Sequence, residues 1–270
     1  EQGFAVKVKN NNAPGLTPTV FTLSEGGFRD ISFTGEYPIG KVSYSDPLSP
    51  VKVNLEAYTP FIPTDYQSSD YPAIIMEFHI ANTSDQTVEI ELMGWLQNMA
   101  SFQTANQTKG IHRNRTERTN AGIHMIAESE VEDQDLPDFG NMTLTLMDVE
   151  GWGNPNCPGD IIYNLPELGA SDKVEAEADL GKILTGSLGR ELILAPGQSE
   201  QVRFIISWYF PNLHRPESRF HNLKNRENIR WNYSSKFSSS SDVAQLVVKN
   251  SDYLISSTKA WNRVWYNSTL

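Results

Sequence analysis

Apolar and polar residues alternate along most of the chain. In residues 51–57 the apolar side chains occupy every second position, and Lys52, Asn54 and Glu56 lie between them. The same period recurs in residues 74–80, 88–92, 142–146 and 202–210. An alternation of period two predicts β-strands that each turn one face to a core and the other to water.

Turn signals separate these strands. The sequence NTSDQ lies between two strand patterns and predicts a hairpin over residues 73–97, and a Pro-Gly turn at 196–197 joins two further strands in residues 191–210. Short strands with such turns between them are typical of an antiparallel sandwich. The predicted fold class is therefore all-β, a large antiparallel two-sheet β-sandwich that is similar to a supersandwich.

The hydrophobic period changes near the C-terminal end. After the serine run at 238–241, apolar residues recur at helical intervals, including Trp261 and Trp265. This spacing predicts a helix over about residues 242–265, with the serines supplying its N-cap. The expected organisation is a β-sandwich domain over residues 1–240 and a C-terminal helix and linker over residues 241–270.

Residues 99–122 depart from the strand rhythm. The segment is polar and locally basic, with Arg113, Arg115 and Arg118 close together in an acidic chain. It is predicted as a long loop, and loops of more than about 12–15 residues are usually functional or disordered. Two interpretations stay open, a functional segment and a solvated loop.

The stretch GEYPIGKVSYSDPLSPVKVNLEAYTPFIP, residues 35–63, combines strand alternation with five prolines. Proline is tolerated at strand ends, at edges and in turns, where no ladder N–H is needed. YSDPLSP is therefore predicted as a turn that leads into a strand, and TPFIP as the end of that strand. The stretch is expected to carry shape rather than chemistry.

Charge and composition limit the function classes. The 270 residues carry a formal net charge of −11, with a sequence pI of about 4.9. Phosphate binding needs clustered Lys and Arg, so no nucleic-acid partner is expected. No apolar run reaches the roughly 18–20 residues of a membrane span and no signal peptide is visible, which leaves the compartment open. The chain begins without Met and stops after the predicted helix, as expected for a piece of a longer protein.

The standard catalytic and cofactor patterns are absent from the sequence. His79 lies in a strand pattern and is interpreted as a strand residue, and Cys157 has no partner at metal-ligand spacing. The acidic run at 128–138 could offer oxygen ligands to calcium but is more typical of a solvated loop, because the D-x-D-x-D-G pattern is missing. No catalytic residue, metal or cofactor is predicted.

Two tryptophans in polar surroundings are candidate sugar-stacking platforms. Trp152 lies between glycines, and Trp231 lies in a polar segment. An exposed aromatic ring can stack on the apolar face of a sugar, and the same ring can equally pack over the edge of a sandwich. Both interpretations stay open for each residue.

Several stretches resemble one known family. Residues 35–63 are similar to the signature of the N-terminal domain of glycoside hydrolase family 116, which includes bile-acid β-glucosidases, or non-lysosomal glucosylceramidases. Four further stretches support the resemblance: PAIIMEFHIANTSDQTVEIELMGWLQN at 72–98, FGNMTLTLMD at 139–148, ISWYFPN at 206–212 and TKAWNRVWYNSTL at 258–270. The resemblance covers nearly the whole chain.

The resemblance implies a two-domain enzyme. A β-sandwich would pack on an (α/α)-barrel that hydrolyses a β-glucoside or a glucosylceramide-like substrate with retention, using a Glu nucleophile and an Asp acid/base that both belong to the barrel. No catalytic position is therefore expected in these 270 residues. Trp261 and Trp265, together with the three arginines, are the expected domain-interface or cleft-bordering residues.

Three functions follow as alternatives. The first is a noncatalytic N-terminal domain that supports the barrel and shapes its cleft, with this segment inactive alone. The second is a free-standing carbohydrate-binding sandwich that uses Trp152 or Trp231. The third is an autonomous enzyme, which would need clustered acids with perturbed pKa values in one pocket.

Overall fold

The computed structural model describes residues 2–9, 18–157, 164–213 and 229–268. The strands of this part of the chain are β1 (Gln2–Lys9), β2 (Thr19–Thr22), β3 (Asp30–Glu36), β4 (Ile39–Ser45), β5 (Val51–Tyr58), β6 (Ala73–Asn82), β7 (Val88–Gln97), β8 (Gly110–Thr119), β9 (Gly122–Val131), β10 (Asn141–Leu146), β11 (Gly151–Asn154), β12 (Glu175–Asp179), β13 (Thr185–Leu194), β14 (Ser199–Tyr209), β15 (Asn212–Leu213) and β16 (Ile229–Arg230). The helices are α1 (Ser240–Lys249) and α2 (Ser251–Tyr266), and short 3-10 turns occupy Leu165–Glu167 and Asn232–Ser235.

Two antiparallel sheets account for most of the described strands. The small sheet has the order β11-β13-β7-β1-β2, and the large sheet has the order β12-β8-β9-β10-β14-β6-β5-β4-β3. A separate two-stranded ribbon pairs β15 with β16. The prediction of a large antiparallel two-sheet β-sandwich is confirmed.

The predicted hairpin over residues 73–97 is wrong, although both of its strands exist. β6 pairs with β5 and β14 in the large sheet, whereas β7 pairs with β1 and β13 in the small one. The chain therefore crosses between sheets at the NTSDQ turn. Asn82 fixes this crossing, because its side-chain Nδ2 donates to the carbonyl of Leu194 at the neighbouring crossing between β13 and β14.

The core lies between the two sheets. Alternate residues of β6, β7, β10 and β14 point inward, as the period of two predicted. Phe4 of the small sheet packs against Phe78 and Phe204 of the large sheet, with ring centroids 4.8 and 5.2 Å away. Each fully buried apolar side chain of this kind stabilises the fold by roughly 1.5–3 kcal/mol.

Helices α1 and α2 cover part of the outer face of the large sheet. α1 begins with Ser239 as N-cap, whose hydroxyl accepts a hydrogen bond from the amide of Asp242. Buried residues of both helices, such as Val247 and Leu254, pack with Ile75 and Ile205 of the sheet. The sequence predicted one helix over 242–265; the structure has two, because the helix is interrupted at Asn250.

The predicted loop over residues 99–122 is wrong for residues 110–119, whereas residues 99–109 lie outside any strand or helix. Residues 110–119 form β8, which pairs with β9 along all ten of its residues and with β12 on its other side. The strand was missed because both of its faces carry polar side chains, so no hydrophobic alternation marks it. Its inner face buries His112 and Asn114.

Candidate functional surface

Residues 35–63 form hydrogen bonds with helix α2 and are here named its seat. Asn262 of α2 donates from Nδ2 to the carbonyl of Glu36, 3.0 Å away. The amide of Tyr37 donates to the hydroxyl of Tyr266 at 2.8 Å, and the amide of Phe61 donates to Thr258 Oγ1 at 3.1 Å. Both ends of the stretch therefore hold the same helix, which explains why a segment so rich in proline is ordered.

Four aromatic rings form a continuous cluster over this seat, here named the aromatic surface: Tyr37, Phe61, Trp261 and Trp265. Successive ring centroids lie 5.2, 6.2 and 5.7 Å apart. Tyr37 and Trp265 are each 63% exposed, and neighbouring Val264 is 68% exposed. The indole Nε1 of Trp261 is buried and has no hydrogen-bond partner within the described part of the chain.

A buried carboxylate, Glu77, ties α2 to the middle of the sheet. Its side chain is fully buried, and its Oε1 accepts a hydrogen bond from Tyr58 at 2.6 Å and lies 2.6 Å from Lys259 Nζ of α2. Its Oε2 accepts from Gln201 at 2.9 Å and from Arg203 at 3.0 Å. We name these five residues the Glu77 clamp.

The clamp shifts the pKa values of its members. Burial alone would raise the pKa of Glu77, but hydrogen bonds from Lys259 and Tyr58 outweigh it and hold that pKa below its ordinary value. Burial would lower the pKa of Lys259, whereas hydrogen bonds to Glu56 and Glu77 raise it above its ordinary value. Glu77 is therefore a carboxylate and Lys259 an ammonium at neutral pH.

The three predicted arginines lie towards the other end of the large sheet, on β8. Arg113 forms ion pairs with Glu130, Glu175 and Glu177, the last two at 2.7 Å. The pKa of Arg113 is raised, chiefly by its hydrogen bond to Glu177. β8 and β5 are separated by four strands, so these arginines and the aromatic surface are not brought together.

The other two arginines are also paired. Arg115 contacts Glu117 and Glu128, the latter at 3.2 Å. Arg118 donates to the carbonyls of Val149 and Gly151, the latter at 2.8 Å. The basic character expected from the sequence is thus balanced locally by acidic groups and carbonyl oxygens.

The two candidate sugar platforms differ in exposure. Trp152 is half-buried in β11, donates from Nε1 to the buried carboxylate of Glu91, and lies over Gly189, where an added Cβ would sit 2.3 Å from the indole. Trp231 is 47% exposed beside the 3-10 turn Asn232–Ser235. Of the two, Trp231 therefore presents the more open ring.

Sequence reasoning missed Glu77 as an organising residue. Its signal was present in AIIMEFHIAN, where a single carboxylate interrupts an apolar strand. Buried carboxylates are rare unless paired, so that interruption could have indicated a buried ion pair. Its partner Lys259 lies 182 positions away in the chain, which no local pattern relates to Glu77.

Neither a metal site nor a membrane span is found in the described residues. No group of three or more His, Cys, Asp or Glu there could hold a metal ion. No described helix is long and apolar enough to cross a bilayer. Burial raises the pKa of the Cys157 thiol to about 11, which disfavours the reactive thiolate.

Fold and surface together define an antiparallel two-sheet β-sandwich domain with a helix pair on the outer face of its larger sheet. Residues 4–254 match the family described as beta-glucosidase 2, glycosyl-hydrolase family 116 N-term. The chain belongs to this family of N-terminal domains, and the predicted resemblance is confirmed. A search of curated proteins finds no match.

Several solved structures are similar to this chain at low sequence identity. A polysaccharide lyase matches 78% of this chain at 12% identity and a TM-score of 0.43, and a putative kojibiose phosphorylase from human microbiome matches 97% at 10% identity and a TM-score of 0.47. A putative aldose 1-epimerase from Klebsiella pneumoniae subsp. pneumoniae matches 77% at 9% identity and a TM-score of 0.36, over 62% of its own length. The chain spans 26% and 27% of the first two proteins.

Proposed function

We propose that this chain is a noncatalytic N-terminal domain of a retaining β-glucosidase or glucosylceramidase-like glycoside hydrolase. The sandwich over residues 1–240 supports an (α/α)-barrel in the same protein, and residues 241–270 lead to that barrel. The family membership supports the enzyme class. The aromatic surface is the observation that best supports this role. It is an exposed apolar cluster at the end of α2, and residues 35–63 hold that helix in place.

The titration of the carboxyl groups supports the noncatalytic role. A glycosidase needs a general acid whose pKa is raised, close to a second carboxylate. The pKa values of Asp65, Glu77 and Asp242 are instead shifted downward, the opposite of what a general acid needs. The fully buried one, Glu77, is neutralised by Lys259 and Arg203.

In this proposal the glycosidic bond is broken in the barrel. A Glu nucleophile and an Asp acid/base there act through a glycosyl-enzyme intermediate without a metal. The sandwich positions α2 for contact with the barrel. The Glu77 clamp and residues 35–63 hold α2 in place, and the barrel packs on Trp261 and Trp265 near the C-terminal end of this helix. A barrel residue that accepts a hydrogen bond from Trp261 Nε1 would satisfy the buried donor.

Contacts of Arg113, Arg115 and Arg118 with the barrel or its cleft stay a prediction. Their existing partners restrict what they can do, because a carboxylate from the barrel would have to compete with Glu177 or Glu128. A barrel residue that forms a hydrogen bond with the exposed side of these ion pairs would contact the arginines and leave the pairs intact.

Enzyme assays on an aryl β-glucoside test the proposal. This chain is expected to be inactive and the longer protein that continues past Leu270 to be active. Trp265→Ala in the longer protein should lower its thermal stability and activity, whereas Trp231→Ala, which removes another exposed indole, should leave both nearly unchanged. Turnover by the 270 residues alone would exclude a noncatalytic role.

The alternative function is a free-standing carbohydrate-binding sandwich. The exposure of Trp231 favours it, since an open indole is the usual platform for a sugar ring. It predicts sugar affinity that Trp231→Ala abolishes, together with unchanged activity of the longer protein.

A further inference from the structure

A row of neutral polar side chains crosses the outer face of the large sheet beside α2. Ser32 of β3 lies opposite Ser43 of β4, Ser43 opposite Asn54 of β5, and Asn54 opposite His79 of β6. Residues in direct register have neighbouring side chains on one face of a sheet. Residues far apart in sequence therefore form one continuous line, here named the polar row.

The adjacent row on the same face is charged and paired. Thr34, Lys41, Glu56 and Glu77 lie opposite one another in the same four strands. Lys41 pairs with Glu36 at 2.5 Å, and Glu56 pairs with Lys259 at 2.6 Å. The ion pairs and the Glu77 clamp therefore hold the charged side chains of this row in place.

The two rows line an open groove of about 260 Å³, bordered by Ser32, Thr34, Lys41, Ser43, Asn54, Glu56 and His79. The hydroxyls of Ser32, Thr34 and Ser43 and the amide of Asn54 form no hydrogen bond with any described residue. His79 Nε2 lies 3.2 Å from Gln201 Nε2, which orients the imidazole at the inner end of the row. The groove thus presents several unused donors and acceptors on a rigid sheet.

We propose that this groove binds a neutral polyhydroxyl ligand, an oligosaccharide that runs across the strands along the polar row. The groups without partners are hydroxyls and a carboxamide, which each donate and accept, as the hydroxyls of a sugar do. Neighbouring strands lie about 4.8 Å apart, so the row repeats at a spacing close to the length of one sugar unit. The charged groups beside it are paired, and the chain is acidic overall, so an anionic ligand is disfavoured.

This site is distinct from both tryptophan platforms and does not depend on the proposed function. Trp152 lies on β11 of the small sheet, and Trp231 lies beyond β16. Sugar binding at the groove needs no turnover and no other domain. Its failure would leave the supporting role of the sandwich untouched.

The test is a titration of the 270-residue chain with cellohexaose, followed by calorimetry and by NMR of backbone amides. Saturable binding is expected, with shifted amide signals confined to β3–β6. Asn54→Ala should weaken binding about three- to tenfold, the loss of one or two neutral hydrogen bonds. Ser43→Tyr, which fills the groove, should abolish it.

Two control variants distinguish binding in the groove from binding elsewhere on the domain surface. Lys52→Ala changes an exposed residue on the same strand and face outside the groove, and Trp231→Ala removes the open indole; both should bind as the unmodified chain does. Thermal unfolding of every variant checks that the fold is intact. Absence of saturable binding to cellohexaose, or equal binding by Ser43→Tyr, would overturn the proposal.

Discussion

The outer face of the large sheet has two charged regions that differ in burial. At the α2 end, Glu77 is fully buried and receives four donors from β5, β14 and α2. At the β8 end, Arg113 meets three glutamates whose side chains are 49–59% exposed. The two sets of ion pairs are therefore expected to contribute differently to stability. A buried charge that loses its partners destabilises the fold far more than an exposed charge that loses its partners.

Because its ion pairs are buried, the part of the large sheet that contacts α2 and the aromatic surface is expected to be the more rigid of the two regions. The clamp joins α2 to three strands, β5, β6 and β14, and the aromatic surface continues from the same helix. The β8 pairs join only neighbouring strands that the backbone already holds together. We therefore expect substitutions and pH changes to affect the two regions very differently.

The largest effect is expected from Glu77→Ala. The substitution leaves Lys259 and Arg203 without their buried partner and should lower the free energy of unfolding by about 3–5 kcal/mol. Denaturant titration of the chain measures it. The matched control is Glu130→Ala, an exposed partner of Arg113. Equal losses in the two variants would show that burial does not distinguish the regions.

The pH dependence of stability should single out the same carboxylate. Because the folded pKa of Glu77 lies below its ordinary value of 4.5, its contribution is complete above pH 4.5 and is lost as the pH falls through the folded pKa. Glu77→Gln should be less stable at neutral pH and lose less stability on acidification. A difference between the two proteins that stays constant with pH would contradict the assignment.

Lys259 gives the opposite dependence at high pH. Its folded pKa is raised above 10.5, so its contribution is present below pH 10.5 and is lost as the pH rises through the folded value. Lys259→Met should therefore remove part of the alkaline loss of stability, which denaturant titrations at a series of increasing pH values measure. Lys52→Met, an exposed residue on β5, is the control and should keep that loss.

The β8 region should respond weakly. Arg113→Ala removes partly exposed ion pairs, and exposed pairs contribute little to stability because water already solvates both charges. Denaturant titration should give a small loss that high salt reduces further, since exposed charges are screened. A loss of the size expected for Glu77→Ala would mean that the arginines form a second structural centre.

The smallest effect on this chain is expected from Trp265→Ala. Its side chain is 63% exposed, and surface substitutions usually change stability by less than about 0.5 kcal/mol. Trp261→Ala should cost more, because that side chain is less exposed than Trp265 and its ring contacts both Phe61 and Trp265. Thermal unfolding compares the loss of stability in the two variants. A larger loss for Trp265→Ala than for Trp261→Ala would show that Trp265 packs within the domain.

Local sequence patterns predicted β5, β6, β7, β10, β13 and β14 but neither the other described strands nor all of the candidate surface. The alternation of residues 51–57 predicted β5, and Trp261 and Trp265 were placed on a C-terminal helix. Strand β8 escaped because its buried face carries His112 and Asn114 rather than apolar residues. The role of Glu77 escaped because its donors come from β5, β14 and α2, which are distant from one another in the chain.

By itself, the sequence determined which residues of β5, β6, β7, β10 and β14 face the core, since alternation with period two reflects burial of one strand face. It also identified the family through stretches such as residues 35–63. Only the tertiary structure decided which strands pair. β6 and β7 have the same local pattern whether they form a hairpin or cross between sheets, and long-range packing selects the crossing. The clamp, the aromatic surface and the polar row all depend on that pairing, because each is assembled from strands and helices distant in the chain.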